Sequence, residues 1–441
     1  MQKDLLLEER ARKVSSFNGI DVYQIRTGKF KTNSINIFFH DDLKKENASK
    51  NAMVPAVLRR GTVSLPTFKD IALYLEELYG ASFDCGVIKK GERQIIHFYI
   101  EFVSDEFIKG EDNLFEKAFN LLYDIIAKPV LENGIFKNEY VEQEKNNLKN
   151  LIESRINDKV QYAVDRCYEE MCKGEPFEIY DYGAVEDVGK IDSKSLYEHY
   201  LNFIRTYPAQ VYICGNVADD VMHKAIQMLE NLRVENKTLQ EGGKKINVLK
   251  GVSPDSFNKS EVKTKNVTEK LNVNQGKLSL GFRTNTPPDS NDYYALVVYN
   301  GILGGGIHSK LFQNVREKAS LAYYVFSRLE KFKGLMVVSS GIEIENKDKA
   351  LDIILDQLEQ IRAGNISDYE YETTLNVIET GIKSLRDNQI SIVDFYLSQT
   401  VAGTNDDFKS FAEKIRKVTK EDVIRVADKI KLDTIYFLTR S

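Results

Sequence analysis

Apolar and polar positions along the chain follow two different periods, which indicates a mixture of strands and helices. They alternate over residues 20–26 and 34–39, which predicts two short strands separated by polar turn residues. Apolar residues recur at helical spacing over residues 115–126, and a longer helix is predicted over residues 136–155. A strand over residues 209–214 closes the first half of the chain.

The second half of the chain repeats this order of elements. Its strands are predicted at residues 276–283, 323–328, 334–342 and 434–438. Its helices are predicted at residues 293–302, 309–318, 350–362 and 368–386. The segments that begin near residues 129 and 192 have counterparts near 366 and 419, at an offset of about 225 to 240 residues. Several matches in the same order predict an α+β protein with two homologous halves, each a mixed sheet packed by helices.

Chain length and one polar segment predict where the halves divide. With 441 residues the chain exceeds the size at which a single core stops growing. Residues 233–265 are rich in Lys, Glu, Asn, Gly and Ser and poor in apolar residues, which is typical of a linker. We therefore expect one domain at residues 1–232, a linker at 233–265 and a second domain at 266–441.

Charge and hydropathy exclude several classes of function. The net charge of -5 gives no overall electrostatic attraction for nucleic acid or for an anionic membrane. No stretch reaches the roughly 20 apolar residues that a bilayer span requires. The apolar run near the N-terminus is too short for the core of a signal peptide. We therefore expect a soluble, cytoplasmic chain without a nucleic-acid partner or a membrane span.

The cysteines and histidines form no recognisable catalytic or metal-binding pattern. The four cysteines fit neither a disulfide framework nor a metal motif, and they are expected to be reduced and packed. The five histidines are scattered, and His199 and His308 are interpreted as solvated or capping side chains. The chain also has no G-x-S-x-G elbow and no P-loop.

Two segments resemble a known family. PTFKDIALYLEELYGASFDC at residues 66–85 and GGGIHSKLFQNVREKASLAYYV at residues 304–325 are similar to the M16 peptidases, which include insulin-degrading enzyme, pitrilysin and the mitochondrial processing peptidase. The resemblance extends over nearly the whole chain, and the second segment is its more specific part. It implies two α/β-roll halves of the LuxS/MPP-like metallohydrolase fold.

The zinc motif of the family is degenerate in this chain. Active members carry H-x-x-E-H on the helix before a Lys-Gly-Thr-like turn, which here is the turn at residues 60–62, after a helix predicted at 51–60. Here Ala52, Pro55 and Ala56 stand at the positions of His, Glu and His, and Leu151 stands at the position of the later ligand. These side chains can neither ligate zinc nor move a proton. Glu144 is kept, at a position that belongs to the helix framework. We expect no metal or other cofactor in this chain.

The family's substrate-binding residues have counterparts here. The resemblance implies that Arg316 and Tyr323 match an arginine and a tyrosine that hold the peptide over the zinc site. Such an arginine donates hydrogen bonds to peptide carbonyls, and a tyrosine hydroxyl can stabilise a tetrahedral oxyanion. Gly304, Gly305 and Gly306 match a glycine-rich loop that handles substrate in a noncatalytic relative. The alternatives are a helix-capping arginine, a strand tyrosine that only packs, and a plain helix-to-helix turn.

A retained Arg/Tyr pair beside a degenerate zinc motif predicts a division of labour. In two-subunit members of the family, one chain holds zinc and its partner supplies the pair. We therefore expect a noncatalytic, substrate-binding subunit of a heterodimeric zinc peptidase, inactive alone, with zinc in an HxxEH-bearing partner and a peptide as substrate. The alternatives are a scaffold protein, or a stand-alone peptide-binding homologue that forms a homodimer.

Overall fold

The computed structural model describes residues 9–108, 113–234 and 263–441. The strands are β1 (Ala11–Phe17), β2 (Ile20–Arg26), β3 (Thr32–Asp42), β4 (Ser82–Lys90), β5 (Arg93–Val103), β6 (Leu131–Glu132), β7 (Ile135–Phe136), β8 (Ala209–Gly215), β9 (Lys265–Leu271), β10 (Gly276–Arg283), β11 (Ala322–Glu330), β12 (Leu335–Ile342) and β13 (Lys431–Arg440). The helices are α1 (Lys45–Leu58), α2 (Phe68–Glu77), α3 (Leu114–Ala127), α4 (Asn138–Ser154), α5 (Lys159–Met171), α6 (Val185–Gly189), α7 (Ser193–Thr206), α8 (Asp219–Val234), α9 (Asp292–Gly304), α10 (Lys347–Arg362), α11 (Asp368–Leu385), α12 (Gln389–Ala402), α13 (Phe408–Arg416) and α14 (Lys420–Ala427). Among these residues, no helix is both long and apolar enough to cross a bilayer.

The two large sheets have the same topology. The first has the strand order β1-β2-β8-β3-β5-β4, and the second has the order β11-β12-β10-β13-β9. Each contains one parallel pair, β2 with β8 and β9 with β13, and the other neighbours are antiparallel. When the second order is reversed, its five strands match the first sheet without β1. The prediction of an α+β protein with a mixed sheet packed by helices in each half is confirmed.

The described residues form two compact units. Each unit contains most of one half of the chain and one short segment from the other half. The first unit comprises the described residues up to Glu153, those from Ile179 to 234, and Gln389–Phe395. The second comprises Ser154–Glu178, the described residues from 263 to Asn388, and Tyr396–Ser441. Helix α5 thus belongs to the second unit although it lies in the first half of the sequence. The domain boundaries at 232 and 266 stay a prediction, and residues 235–262 of the predicted linker lie outside the described residues.

Each unit has its own apolar core, formed where helices cover one face of its sheet. In the first unit, α3 packs Phe115 and Phe119 against β5, with the rings of Phe102 and Phe115 5.8 Å apart. In the second, Leu278 and Leu280 of β10 lie in a core with Ile302 of α9, and all three are fully buried. Burial of large apolar side chains is the main favourable term in folding, about 1.5–3 kcal/mol for each.

Several elements differ from the sequence prediction. Helix α1 begins six residues earlier than residue 51, because Asn47 and Asn51 on this helix are satisfied by hydrogen bonds inside the protein rather than by water. Residues 312–318 form a π-helix within the predicted helix 309–318. Helices α5 and α12 were not predicted. The buried residues of α5 do lie at helical spacing, but alanine and cysteine are among them and the rest of the helix is largely polar, so the segment is less apolar than the predicted helices.

Helix α5 lies close to strand β10 at a glycine. A Cβ built on Gly281 would lie 2.8 Å from Met171 Sδ and 3.2 Å from Cys167 Sγ, both on α5. Near the same end of α5, Arg283 is almost fully buried, donates to the Met171 carbonyl and pairs with Glu175 and Asp433 at 2.8 and 3.0 Å. The absence of a side chain at Gly281 and the satisfied guanidinium together fix α5 on the second sheet.

Substitution of Gly281 tests this contact. We expect Gly281→Val to lower the free energy of unfolding by about 1–3 kcal/mol, because the added methyl groups overlap the sulfur atoms of α5. Gly381→Ala is the matched control, since no atom lies within 4 Å of its Cβ position on the exposed face of α11. It should raise stability by up to about 1 kcal/mol through helix propensity. Equal urea midpoints for Gly281→Val and the unsubstituted chain would contradict the proposed packing.

Candidate functional site

The residues predicted to occupy the degenerate zinc-motif positions lie on two helices of the first unit. Ala52 and Pro55 are buried on α1, and Ala56 on the same helix is partly exposed. Leu151 lies on α4 and is exposed. The carbonyl of Pro55 accepts a hydrogen bond of 3.3 Å from Cys85 Sγ on β4, so this part of α1 packs on the sheet. Burial raises the pKa of the Cys85 thiol to about 12, which keeps it protonated.

These positions do not fit a zinc ion. Alanine, proline and leucine side chains carry no nitrogen, oxygen or sulfur ligand, and zinc in proteins is held by Cys, His, Asp or Glu. In the part of the chain that the structure describes, no group of three or more such residues is arranged to hold a metal.

Glu144, the retained acid, is held by an arginine. Nε and Nη2 of Arg60, just after the end of α1, both lie 2.5 Å from Glu144 Oε1 on α4. Asn147 donates to the other carboxylate oxygen at 3.1 Å, and the Arg60 guanidinium lies over the ring of Tyr140 at 5.9 Å. The pair joins the end of α1 to α4 and gives the buried carboxylate a cationic partner.

A buried polar network holds the inner face of α1. Asn51 Nδ2 donates to Asp41 Oδ2 at 3.1 Å and to Gln94 Oε1 at 2.9 Å, so its Oδ1 faces His199 Nε2 at 2.7 Å. Because Asn51 Oδ1 can only accept, His199 carries its proton on Nε2. Tyr207 donates to the same Asp41 oxygen at 2.7 Å. The helix that would carry the zinc motif is therefore held by hydrogen bonds from neutral side chains to the Asp41 carboxylate.

The structure corrects the interpretation of two histidines as solvated or capping residues. His199 is buried in this network, and His308 is buried in the second unit with Nε2 2.9 Å from Thr374 Oγ1. Burial, with the charge of Lys50, lowers the pKa of His199 to about 4. Burial and nearby Arg93 lower the pKa of His40 to about 3. These histidines are neutral core residues, and the sequence gives no sign that Asn51 and Thr374 are the hydrogen-bond partners of His199 and His308.

Arg316 lies on a π-helix of the second unit. Residues 312–318 form it, and the Ala319 N–H donates to the Asn314 carbonyl five residues back. Such helices are rare and concentrate at functional sites. The guanidinium lies 4.7 Å from the centre of the Phe312 ring, and its closest acid is Glu317 at 3.8 Å. Because the side chain is 44% exposed, most of its N–H donors face solvent.

Tyr323 lies at a β-bulge on an edge strand. The register of β11 with β12 shifts between Ala322 and Tyr324, so Tyr323 is the extra residue. Bulges redirect a side chain away from the regular alternation. Tyr323 is 54% exposed, and its hydroxyl donates to the carboxylate of Glu343, the residue after β12. That hydrogen bond and the charge of Glu343 raise the pKa of Tyr323, so the hydroxyl keeps its proton.

The three glycines occupy different environments. Gly304 is buried, and a Cβ there would lie 2.4 Å from the Ser327 backbone nitrogen on β11, so glycine lets α9 approach this strand. Gly305 is exposed and Gly306 partly exposed. Ile307, which follows them, is 71% exposed, and its carbonyl accepts from Gln313 Nε2 at 2.7 Å. Close packing therefore explains Gly304, and a Cβ on the exposed Gly305 would also lie 2.6 Å from Gly301 Cα, whereas the Cβ position of Gly306 is only 3.3 Å from the His308 ring.

Sequence reasoning missed Glu343 as a neighbour of Tyr323. The two residues are 20 positions apart and belong to different strands, and no motif joins them. The only signal in the sequence is the predicted pair of strands at 323–328 and 334–342, which leaves the bulge and the register undetermined.

Comparison with known proteins identifies the class. A family model described as "Peptidase M16 inactive domain" matches residues 190–378. A Bacillus subtilis (strain 168) protein named "Probable inactive metalloprotease YmfF" is 37% identical over 424 residues, 96% of each chain. A conserved protein from Enterococcus faecalis V583 has a similar solved structure, with a TM-score of 0.85 at 28% identity over 98% of this chain and 99% of that one. The peptidase M16 inactive domain from Pseudomonas fluorescens shares the fold, with a TM-score of 0.77 at 15% identity over 98% of each chain.

The two-sheet fold is therefore that of the M16 peptidases and their inactive homologues. This chain belongs to the M16 peptidase family, and the resemblance inferred from its sequence is confirmed. The Bacillus subtilis relative, which covers 96% of this chain, is named a probable inactive metalloprotease.

The Arg60–Glu144 pair provides a test of the degenerate zinc region. We expect Arg60→Met to cost about 1–3 kcal/mol of stability, because it leaves the Glu144 carboxylate, 11% exposed, without its cation. The double variant Arg60→Met/Glu144→Leu should recover most of that loss in urea unfolding. A double variant no more stable than Arg60→Met would contradict this account. Lys190→Met, which breaks an exposed pair with Asp187, should leave stability unchanged.

Protonation of His199 predicts a loss of stability in acid. Its folded pKa of about 4 lies below the ordinary histidine pKa of 6.5, so the unfolded chain binds the proton first and stability falls as pH drops from about 6.5 towards 4. Between pH 7.5 and 5 this group alone should cost about 2 kcal/mol. His199→Gln keeps a donor for Asn51 but does not titrate, so its urea midpoint should change less over that range. An identical pH dependence in both proteins would contradict the prediction.

Proposed function

We propose that this chain is the noncatalytic, substrate-binding subunit of a heterodimeric zinc-dependent M16 peptidase. One observation carries the proposal: Arg316 and Tyr323 are both exposed in unusual backbone geometry, on a π-helix and a β-bulge, whereas the zinc positions lack ligand atoms. Backbone irregularities are commonest where a side chain must be presented to a ligand. Two such residues at family spacing favour a retained function over simple packing.

Arg316 would bind the backbone or a carboxylate of the peptide. Its guanidinium is oriented by the Phe312 ring, and a planar cation stacked on an aromatic face keeps its edge donors available. Those donors can form paired hydrogen bonds with peptide carbonyl oxygens. The side chain is therefore suited to hold an extended peptide in one register.

Tyr323 would donate a hydrogen bond to the oxygen that becomes negative when the peptide bond is attacked. The raised pKa keeps this hydroxyl protonated at neutral pH, as a donor must be. A donor placed at a developing oxyanion contributes more in the transition state than in the ground state. In this proposal the HxxEH-bearing partner holds the zinc, and this chain supplies the hydrogen-bond donors.

The exposed glycines would form part of the peptide-binding surface. Gly305 and Gly306 present backbone without side chains. Ile307 beside them is 71% exposed, and an apolar side chain this exposed is suited to contact a peptide. The partner in this proposal is a catalytic M16 homologue, with a homodimer as the form adopted in its absence. The proposed location of both chains is the cytoplasm.

Reconstitution tests the proposal. The chain purified alone should show negligible peptidase activity and no stoichiometric zinc, and activity should appear when an HxxEH-bearing M16 homologue from the same genome is added. In that complex Tyr323→Phe should lower kcat by about 100-fold, the usual cost of one oxyanion donor. Arg316→Ala should lower kcat/KM by about 10-fold to 100-fold through lost positioning.

Two matched variants serve as controls. Tyr369→Phe removes the hydroxyl of a tyrosine that is 67% exposed on α11, and Arg328→Ala removes an exposed arginine stacked on Phe326. Both should leave the reconstituted activity unchanged. Chelator-sensitive peptidase activity of the chain alone would overturn the proposal. A complex that forms without any peptide turnover would favour a scaffold, and peptide binding by a homodimer alone would favour a stand-alone binding protein.

A further inference from the structure

The carboxylate of Glu343 occupies an unusual position beside Tyr323. Glu343 is exposed, and within the described residues its carboxylate accepts the Tyr323 hydroxyl but has no lysine, arginine or histidine nitrogen within 4.0 Å. A charge on the surface costs little to leave unpaired, so folding does not require this arrangement. The residue is therefore available to a ligand that reaches Tyr323.

Neighbouring charges are already engaged elsewhere. Glu345, two residues further on, pairs with Arg440 at 3.3 Å. The ammonium of Lys277 on β10 donates to Gln275 at 3.2 Å and lies over the ring of Tyr324. The side chain of Gln275 also reaches the Tyr323 hydroxyl. Glu343 therefore presents a negative charge next to the Tyr323 hydroxyl, directly after the end of β12.

The β-bulge is what brings the two side chains together. Ala322 pairs with Ile342 and Tyr324 with Gly341, so Tyr323 has no partner in the ladder and its hydroxyl is directed to the residue that follows Ile342. While the Tyr323 hydroxyl donates its one hydrogen to Glu343, it cannot donate that hydrogen to a peptide. A ligand must therefore compete for the carboxylate before Tyr323 becomes free to act.

We propose that Glu343 is a specificity-determining residue that selects peptides with a positively charged group, a lysine or arginine side chain or a free α-amine, next to the backbone held by Arg316 and Tyr323. This inference rests on the proposed function and names its substrate class. The cation pairs with the carboxylate, and the Tyr323 hydroxyl then turns to the peptide carbonyl. A cationic peptide is thus both attracted by Glu343 and met by a free donor.

Peptide binding to the full chain tests the inference. The probes are two fluorescein-labelled, N-acetylated and C-amidated decapeptides of the same alanine-rich sequence, one with three lysines and one with glutamines in their place. By fluorescence anisotropy at 50 mM NaCl, the chain should bind the lysine peptide about 2-fold to 5-fold more tightly, the upper part of the range of one exposed ion pair. The difference should shrink at 500 mM NaCl because salt screens exposed charges.

Two isosteric variants separate charge selection from other roles. Glu343→Gln keeps an oxygen that accepts from Tyr323 but removes the charge, so it should abolish the preference without weakening the glutamine peptide. Glu345→Gln makes the same charge change two residues away and should retain the preference. An undiminished preference in Glu343→Gln overturns the inference, and so does an equal loss for both peptides, which would make Glu343 a positioning residue for Tyr323.

Failure of the proposed function gives a different result. If the chain binds both peptides but Arg316→Ala and Tyr323→Phe leave that binding unchanged, the peptide lies elsewhere and the proposed site is wrong. If Arg316→Ala weakens both peptides and Glu343→Gln has no effect on their ratio, the site stands and the cation selection fails. If neither peptide binds to the chain, alone or with its catalytic partner, both proposals are overturned. Circular dichroism of each variant confirms that the fold is retained.

Discussion

Backbone pairing on both sides of one central strand in each sheet is the constraint on which the rest of the structure depends. Strand β3 is paired with β5 and β8, and β10 with β12 and β13. In each unit one of the two neighbours comes from the far end of the same half of the sequence. Because every buried N–H and C=O of a central strand needs a partner, these distant segments must return to the sheet, and the helices between them are then placed on it.

That framework is indifferent to the presence of zinc ligands. Helix α1 is fixed by Asn47 and Asn51 through hydrogen bonds to Asp41, and its end is fixed by Arg60 and Glu144. None of these contacts uses the side chains at the predicted zinc-motif positions. Helix α1 is therefore held in place without any metal ligand, which is physically why this fold is stable without zinc at these positions.

The second unit contains irregular backbone at the residues proposed to bind peptide. Gly304 is explained by close packing, but the bulge at Tyr323 and the π-helix at residues 312–318 give the core no evident advantage. Irregular backbone of this kind usually costs stability and is retained for a ligand. The exposed Tyr323 hydroxyl, which donates to Glu343, takes part both in the proposed peptide binding and in the proposed selection of cationic peptides.

The sequence by itself determined the features that depend on local chemistry. Alternation and helical spacing predicted most strands and helices. Ala52, Pro55, Ala56 and Leu151 carry no ligand atom whatever the fold around them. Only the tertiary structure decided that α5 belongs to the second unit, that His199 and His308 are buried, and that Tyr323 meets Glu343. Each of these depends on partners far apart in sequence, and strand register, a missing Cβ or a buried acceptor leaves no periodic signal in the chain.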